Sequence, residues 1–165
     1  MKFYTVICAL TAILGVCTMD AANANPPSNN AAVSEITWMT DFDAAKSLAK
    51  AQSKPMFVFF TGSDWCPWCI KMDTQILSTP EFQQALAQKM IFVKIDFPRQ
   101  TKLDKATKDQ NDKLSKTYEI QGFPTVILLD SNGKKIDKLG FQAGGGAKYA
   151  QKVLDILQAY KGAST

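Results

Sequence analysis

The sequence predicts an α/β domain in which a central mixed sheet is flanked by helices. Three observations carry that prediction. First, Met56–Phe60 (MFVFF), Met90–Phe97 (MIFVKIDF) and Thr125–Asp130 (TVILLD) are short, largely apolar runs, as expected of strands covered on both faces. Second, segments whose apolar residues recur at helical spacing lie between and around these runs. Third, Ser131-Asn132-Gly133 is a hairpin signal leading into Lys134–Gly140, so the last two strands run antiparallel. At 165 residues and 46% hydrophobic content the chain has enough apolar side chain for one domain with a core.

The N-terminus reads as an export signal covering residues 1–24. Lys2 supplies a minimal positive region, Phe3–Val16 is almost wholly apolar, and Ala22-Asn23-Ala24 offers an A-x-A cleavage site. The apolar run is short for a bilayer span, and no later stretch approaches the length a transmembrane helix needs. A soluble mature chain starting near Asn25 is therefore expected, with a retained anchor as the alternative. Leu14-Gly15-Val16-Cys17 has the outline of a lipoprotein signal, but Val16 stands where a small residue belongs. Residues 25–35 (NPPSNNAAVSE) are polar and proline-bearing without periodicity, which suits a flexible tether; the folded domain is expected over 36–165.

The elements follow in order. Asp41–Gln52 carries Phe42, Ala45, Leu48 and Ala49 on one face, with Thr40 or Asp41 as cap and Lys54-Pro55 as stop, so a helix is expected. After the MFVFF strand, Gly62 and Ser63 turn the chain, and Cys66–Leu77 shows helical spacing through Cys69, Met72, Ile76 and Leu77. Ser78-Thr79-Pro80-Glu81 has the form of a capping box that opens another helix buried through Phe82, Ala85 and Leu86. Asn111–Tyr118 reads as a short helix. Gly122-Phe123-Pro124 breaks the chain before TVILLD, and Tyr149, Val153, Ile156, Leu157 and Tyr160 mark a closing amphipathic helix.

The chemistry concentrates in TGSDWCPWCIKM, residues 61–72. Four cysteines are present, but Cys8 and Cys17 leave with the signal, so Cys66 and Cys69 remain as one pair. A structural staple is disfavoured because a bridge between residues three apart closes too small a loop to remove much unfolded-state entropy. A zinc site needs four ligands, and the sequence holds no further cysteine in the mature chain and no histidine at all. The lack of histidine also excludes Ser-His and Cys-His nucleophile pairs. No metal or cofactor is called for, and the dithiol itself is left as the reactive group.

Charge is less informative. The net charge of +4 survives signal removal, since Lys2 and Asp20 cancel, and it is spread along the chain. No basic stripe of the kind that binds nucleic acid is present. Arg99–Lys108 (RQTKLDKATK) is a mixed cluster with a basic excess, readable as a solvated loop or helix face or as a docking site for an acidic partner.

Trp65-Cys66-Pro67-Trp68-Cys69 after a buried strand, followed some fifty-five residues later by Gly122-Phe123-Pro124-Thr125, resembles the thioredoxin fold over roughly residues 36–160. Within that family, FTGSDWCPWC, the signal and the length are most similar to the small exported thioredoxin-like proteins of the DsbH type. The resemblance implies an exported, periplasmic thiol–disulfide oxidoreductase acting on cysteine-containing exported proteins, recharged by a membrane electron donor. It implies no nucleic-acid partner, and nothing is left over for a dimerisation domain, so a monomer is expected. The alternatives are a disulfide oxidant or isomerase, or a thioredoxin-fold binding protein or chaperone whose CxxC is incidental.

In this resemblance Cys66 sits at a helix N-terminus, where unpaired backbone N–H groups and the helix dipole favour a thiolate. Pro67 suits the first helical position because its missing N–H would be unpaired there anyway. Cys66 is then the attacking sulfur and Cys69 the resolving one. The family implies that Pro124 is cis and that its loop offers Phe123 backbone groups to an extended substrate. Trp65 either supports the helix start or touches substrate; Trp68 is expected to be exposed and binding. One position departs from the family: many members carry a buried aspartate beneath the second cysteine, and Phe60 stands there. Lys94 and Asp96 share one face of the following strand and are candidates to replace it. Trp68 also stands where strongly oxidising members have histidine, which implies a reducing couple.

Overall fold

Every residue of Met56–Thr61 is buried, which places that strand in the middle of the sheet. A computed structural model describes residues 35–162 of the protein. The expected signal, 1–24, lies outside the described residues, as does the expected tether, 25–35, apart from Glu35. In chain order the elements are β1 (Trp38–Met39), α1 (Phe42–Gln52), β2 (Met56–Thr61), α2 (Pro67–Met72), a π-helical turn (Asp73–Leu77), α3 (Pro80–Leu86), β3 (Ile91–Asp96), α4 (Lys105–Thr117), β4 (Thr125–Leu129), β5 (Lys135–Gly140) and α5 (Gly145–Gly162). The sheet order is β1-β3-β2-β4-β5. The first three of these strands are parallel, whereas β4 runs antiparallel to β2 and β5 antiparallel to β4.

Alternation along β2 divides the core in two. Phe57 and Phe59 face Met72, Phe82, Leu86 and Val153, on the side of α2, α3 and α5. Met56, Val58 and Phe60 face Phe42, Ala45 and Ala49 of α1 and Leu114 of α4. Phe57 is fully buried, with its ring 5.2 Å from Phe92 and 5.7 Å from Phe82, so one aromatic cluster ties β2, β3 and α3 together. The hairpin forms as expected: the Asp130 carboxylate accepts from the N–H groups of Asn132 and Lys134, and Gly133 takes φ +86°.

The structure adds one strand and corrects four expectations. β1, which pairs Trp38 with Phe92, is too short to show a strand period in sequence. The helix expected from Asn111 begins at Lys105, because the Asp104 side chain accepts from the N–H and the hydroxyl of Thr107 and caps it. Its first turns are charged, held by Lys105–Asp109 and Lys108–Asp112 pairs four residues apart, and so carry little apolar signal. The single helix expected over Cys66–Leu77 widens into the π turn after Met72, with Ser78 N–H bonded to the Asp73 carbonyl at 2.9 Å. The cap of α3 is Thr79, whose hydroxyl accepts from Phe82 N–H at 3.4 Å, and not Ser78 in a capping box. Leu48, expected on the buried face of α1, is 37% exposed.

Candidate active site

Buried β2 delivers the chain to Gly62, where a tight turn starts: the Gly62 carbonyl accepts from Cys66 N–H at 2.9 Å and from Trp65 N–H at 3.3 Å. The turn brings Cys66 to the N-cap of α2 in an extended conformation, with Pro67 in the first turn. Cys66 and Cys69 are joined as a disulfide with their Cα atoms 5.2 Å apart. Cys69 N–H donates to Cys66 Sγ at 3.3 Å, and Gly62 N–H donates to Cys69 Sγ at 3.5 Å. Each sulfur therefore faces a backbone donor. That environment favours negative charge on sulfur, most strongly at Cys66, which also sits on the helix axis end. Cys66 is 5% exposed and Cys69 1%, so the first sulfur is the more accessible.

The loop after α4 closes over this pair. The Phe123–Pro124 bond is cis, and the Phe123 carbonyl oxygen lies 3.8 Å from Cys66 Sγ. The structure thus brings together Trp65, Cys66, Pro67, Cys69, Phe123 and Pro124. Trp65 is anchored: its Nε1–H donates to the Phe97 carbonyl at 2.7 Å, and its ring meets Phe123 edge-on with centroids 5.9 Å apart. Trp68 points the other way and is 55% exposed. Its ring lies 5.3 Å from Phe141, and Lys71 Nζ stands over both rings.

Several further neighbours pack around Trp65. The Asp64 carboxylate accepts from the N–H groups of Arg99 and Gln100, which fix the loop after β3. Those backbone bonds hold its carboxyl below the usual range. Arg99, thus placed, lays its guanidinium 3.8 Å from the centroid of Trp65. Phe97 packs on Phe123 with centroids 5.2 Å apart. Phe97, Arg99 and Gln100 lie some thirty positions from the cysteines; the signals the sequence offered were Asp64, an acid in a turn beside the motif, and the basic excess of Arg99–Lys108.

The two candidates for the missing acid separate. Asp96 is engaged with Ser63, accepting from its N–H at 2.9 Å and from its hydroxyl. Lys94 Nζ lies 3.9 Å from the Asp73 carboxylate and 5.3 Å from the Trp38 ring centroid. Lys94 and Asp73 line a cavity of about 110 Å³ together with Cys69 and Thr61; Asp96 does not. Phe60 packs in the α1/α4 core beside Tyr118, on the face opposite Lys94.

A family model described as a thioredoxin-like domain matches residues 42–157. The disulfide bond reductase DsbH of Chlamydia pneumoniae is 37% identical over 127 residues, which cover 77% of this chain and 76% of that protein. A solved structure of a DsbH oxidoreductase superposes with a TM-score of 0.72 at 37% identity, over 75% of this chain and 85% of the other. The thiol:disulfide interchange protein DsbD of Haemophilus ducreyi is 26% identical over 113 residues, 68% of this chain but 18% of that longer protein. The sheet order, the disulfide at the start of α2, the cis proline facing it and these matches agree: the chain belongs to the thioredoxin-like family.

Proposed function

We propose that this thiol–disulfide oxidoreductase works as an exported, periplasmic disulfide reductase on cysteine-containing proteins. One observation carries the reading: Cys69 N–H aimed at Cys66 Sγ from 3.3 Å, at the start of a helix and beneath the Phe123 carbonyl. In the dithiol form, the thiolate of Cys66 attacks one sulfur of a substrate disulfide, the S–S bond breaks, and the first substrate thiol leaves. The Cys69 thiol then loses its proton and attacks Cys66 Sγ, which releases the second substrate thiol and forms the Cys66–Cys69 disulfide. Two electrons pass to the substrate, and a membrane donor returns them. No cofactor or metal takes part.

The remaining residues have supporting roles. Pro67 starts α2 without wasting an N–H, and Pro124 holds Phe123 so that its backbone meets an extended substrate segment beside Cys66. Trp65, anchored through Phe97, positions the turn that carries Cys66, while exposed Trp68 contacts substrate. DsbH, named as a disulfide bond reductase, supports the direction of electron flow. The similarity to DsbH and to DsbD supports an exported location among redox partners of that system. The protein acts as a monomer, since one domain supplies every residue of the site.

The test is reduction of insulin by the purified protein with dithiothreitol as electron source. Turnover is expected for the wild type and loss of turnover for Cys66→Ser. Equal turnover by both would refute the reading.

A further inference from the structure

On the Arg99 side of Trp65, a groove of about 430 Å³ opens between the loop after β3 and α4. Phe97, Pro98 and Leu103 supply apolar wall, and Arg99, Lys102 and Lys108 supply positive charge. We propose that this groove is a substrate subsite for acidic side chains that flank the reacting cysteine. The inference rests on the disulfide-reductase reading above and gives that site a substrate preference.

The groove borders the site through Phe97 and Arg99. Phe97 forms its wall, accepts the Trp65 indole N–H on its carbonyl, and stacks on Phe123, whose carbonyl faces Cys66. A substrate strand lying along Phe123 advances about 3.3 Å per residue and turns alternate side chains to the same face. Side chains a few positions from the substrate's cysteine therefore reach Arg99.

Charge decides what they meet there. Lys108 is paired with Asp112 at 2.7 Å. Neither Arg99 nor Lys102 is in an ion pair with a carboxylate among the described residues. Asp64, the acid closest to Arg99 in the hydrogen-bond network, spends its oxygens on the backbone N–H groups of Arg99 and Gln100. That same arrangement fixes the loop and holds the guanidinium on Trp65, so an arriving carboxylate finds a preorganised cation beside an apolar wall.

The test uses the reduced full chain and disulfide-linked dimers of three short peptides that differ only in Glu, Gln or Lys on either side of one cysteine. Each reaction converts protein dithiol and peptide disulfide into protein disulfide and two peptide thiols. Each second-order rate constant is divided by that for dithiothreitol with the same peptide, which corrects for the effect of flanking charge on the leaving thiol. At low salt the Glu peptide is expected to exceed the Lys peptide by about fivefold or more, with Gln between. The ratio should shrink as salt shortens the Debye length below about 10 Å. In the double variant Arg99→Glu/Lys102→Glu the Glu-to-Lys ratio is expected to invert, and in Arg99→Gln/Lys102→Gln to approach one. Equal corrected rates for the three peptides, or a preference that survives both double variants, would overturn the subsite. Reduction of bis(2-hydroxyethyl) disulfide, which is uncharged, separates the two readings: wild-type protein unable to reduce it overturns the reductase reading and the subsite with it.

Discussion

The backbone N–H of Cys69 donates to the sulfur of Cys66 across 3.3 Å. The donor belongs to the main chain, so it survives replacement of the Cys69 side chain. Cys69→Ser should therefore keep an activated Cys66 while removing the sulfur that resolves the mixed disulfide. Partners joined through Cys66 are expected to accumulate in Cys69→Ser and to be absent from Cys66→Ser. Mass spectrometry finding equal trapping in both variants would reverse the two roles.

Gly62 is required by space. A Cβ placed there would come within 2.5–2.7 Å of the Trp65 indole ring, which lies across the glycine. Gly62→Ala must displace Trp65, and with it the Phe97 bond and the Arg99 stack. Misplacement of about 1 Å near reacting groups can cost on the order of 100-fold, so a drop of about 10- to 100-fold in kcat/KM for disulfide reduction is expected. An unchanged rate together with an unchanged tryptophan emission spectrum would show that the turn accommodates the methyl group.

Asp64 gives the loop after β3 a dependence on pH. Its carboxyl is held below the ordinary value by the N–H groups of Arg99 and Gln100, so the folded state favours the charged form. The resulting stabilisation is complete above the unfolded value of about 3.9 and is lost as pH falls through the lower, folded value. The difference in melting temperature between wild type and Asp64→Asn should be present at neutral pH and should close at the acid end. A difference that stays constant down to strongly acidic pH would contradict this origin.

Phe57 is the centre of the aromatic cluster between β2, β3 and α3, and it is fully buried. Phe57→Ala removes a ring that its neighbours cannot replace, at a cost of about 3–5 kcal/mol. Urea unfolding should show that loss with little change in slope. A loss below about 1 kcal/mol would mean that Trp38 and Phe82 collapse into the space.

The parts of the fold carried by apolar runs were legible in the sequence: β2, β3, β4, the hairpin to β5 and the closing helix all follow from period and turn residues. The site core was legible for a different reason, because Cys66, Cys69 and Pro124 belong to recognisable motifs. What escaped has no local apolar signal. α4 opens with Lys105-Ala106-Thr107-Lys108, whose cap at Asp104 and ion pairs outweigh its polarity. The Asp64–Arg99–Trp65 arrangement is assembled only when β3 is laid beside β2, pairing Thr61 with Asp96. Likewise Asp73, on the π turn, meets Lys94 only through the packing of that turn on the sheet.

The proposed direction of electron flow, from Cys66 and Cys69 to substrate, turns on the potential of the pair. Trp68 occupies the position before Cys69, and no histidine exists anywhere in the chain to add a cation beside Cys66. The Cys66 thiolate is therefore helped mainly by backbone donors, and a less stabilised thiolate makes a more reducing couple. The family scale runs from about −270 mV for thioredoxin to about −120 mV for DsbA. The most direct measurement is equilibration of Cys66–Cys69 against glutathione buffers, followed by alkylation and mass analysis. A value nearer the thioredoxin end is expected, with the pair still oxidised in a mildly reducing buffer that reduces a couple near −120 mV. Complete reduction of the pair in that buffer would make the protein an oxidant and overturn the reductase assignment.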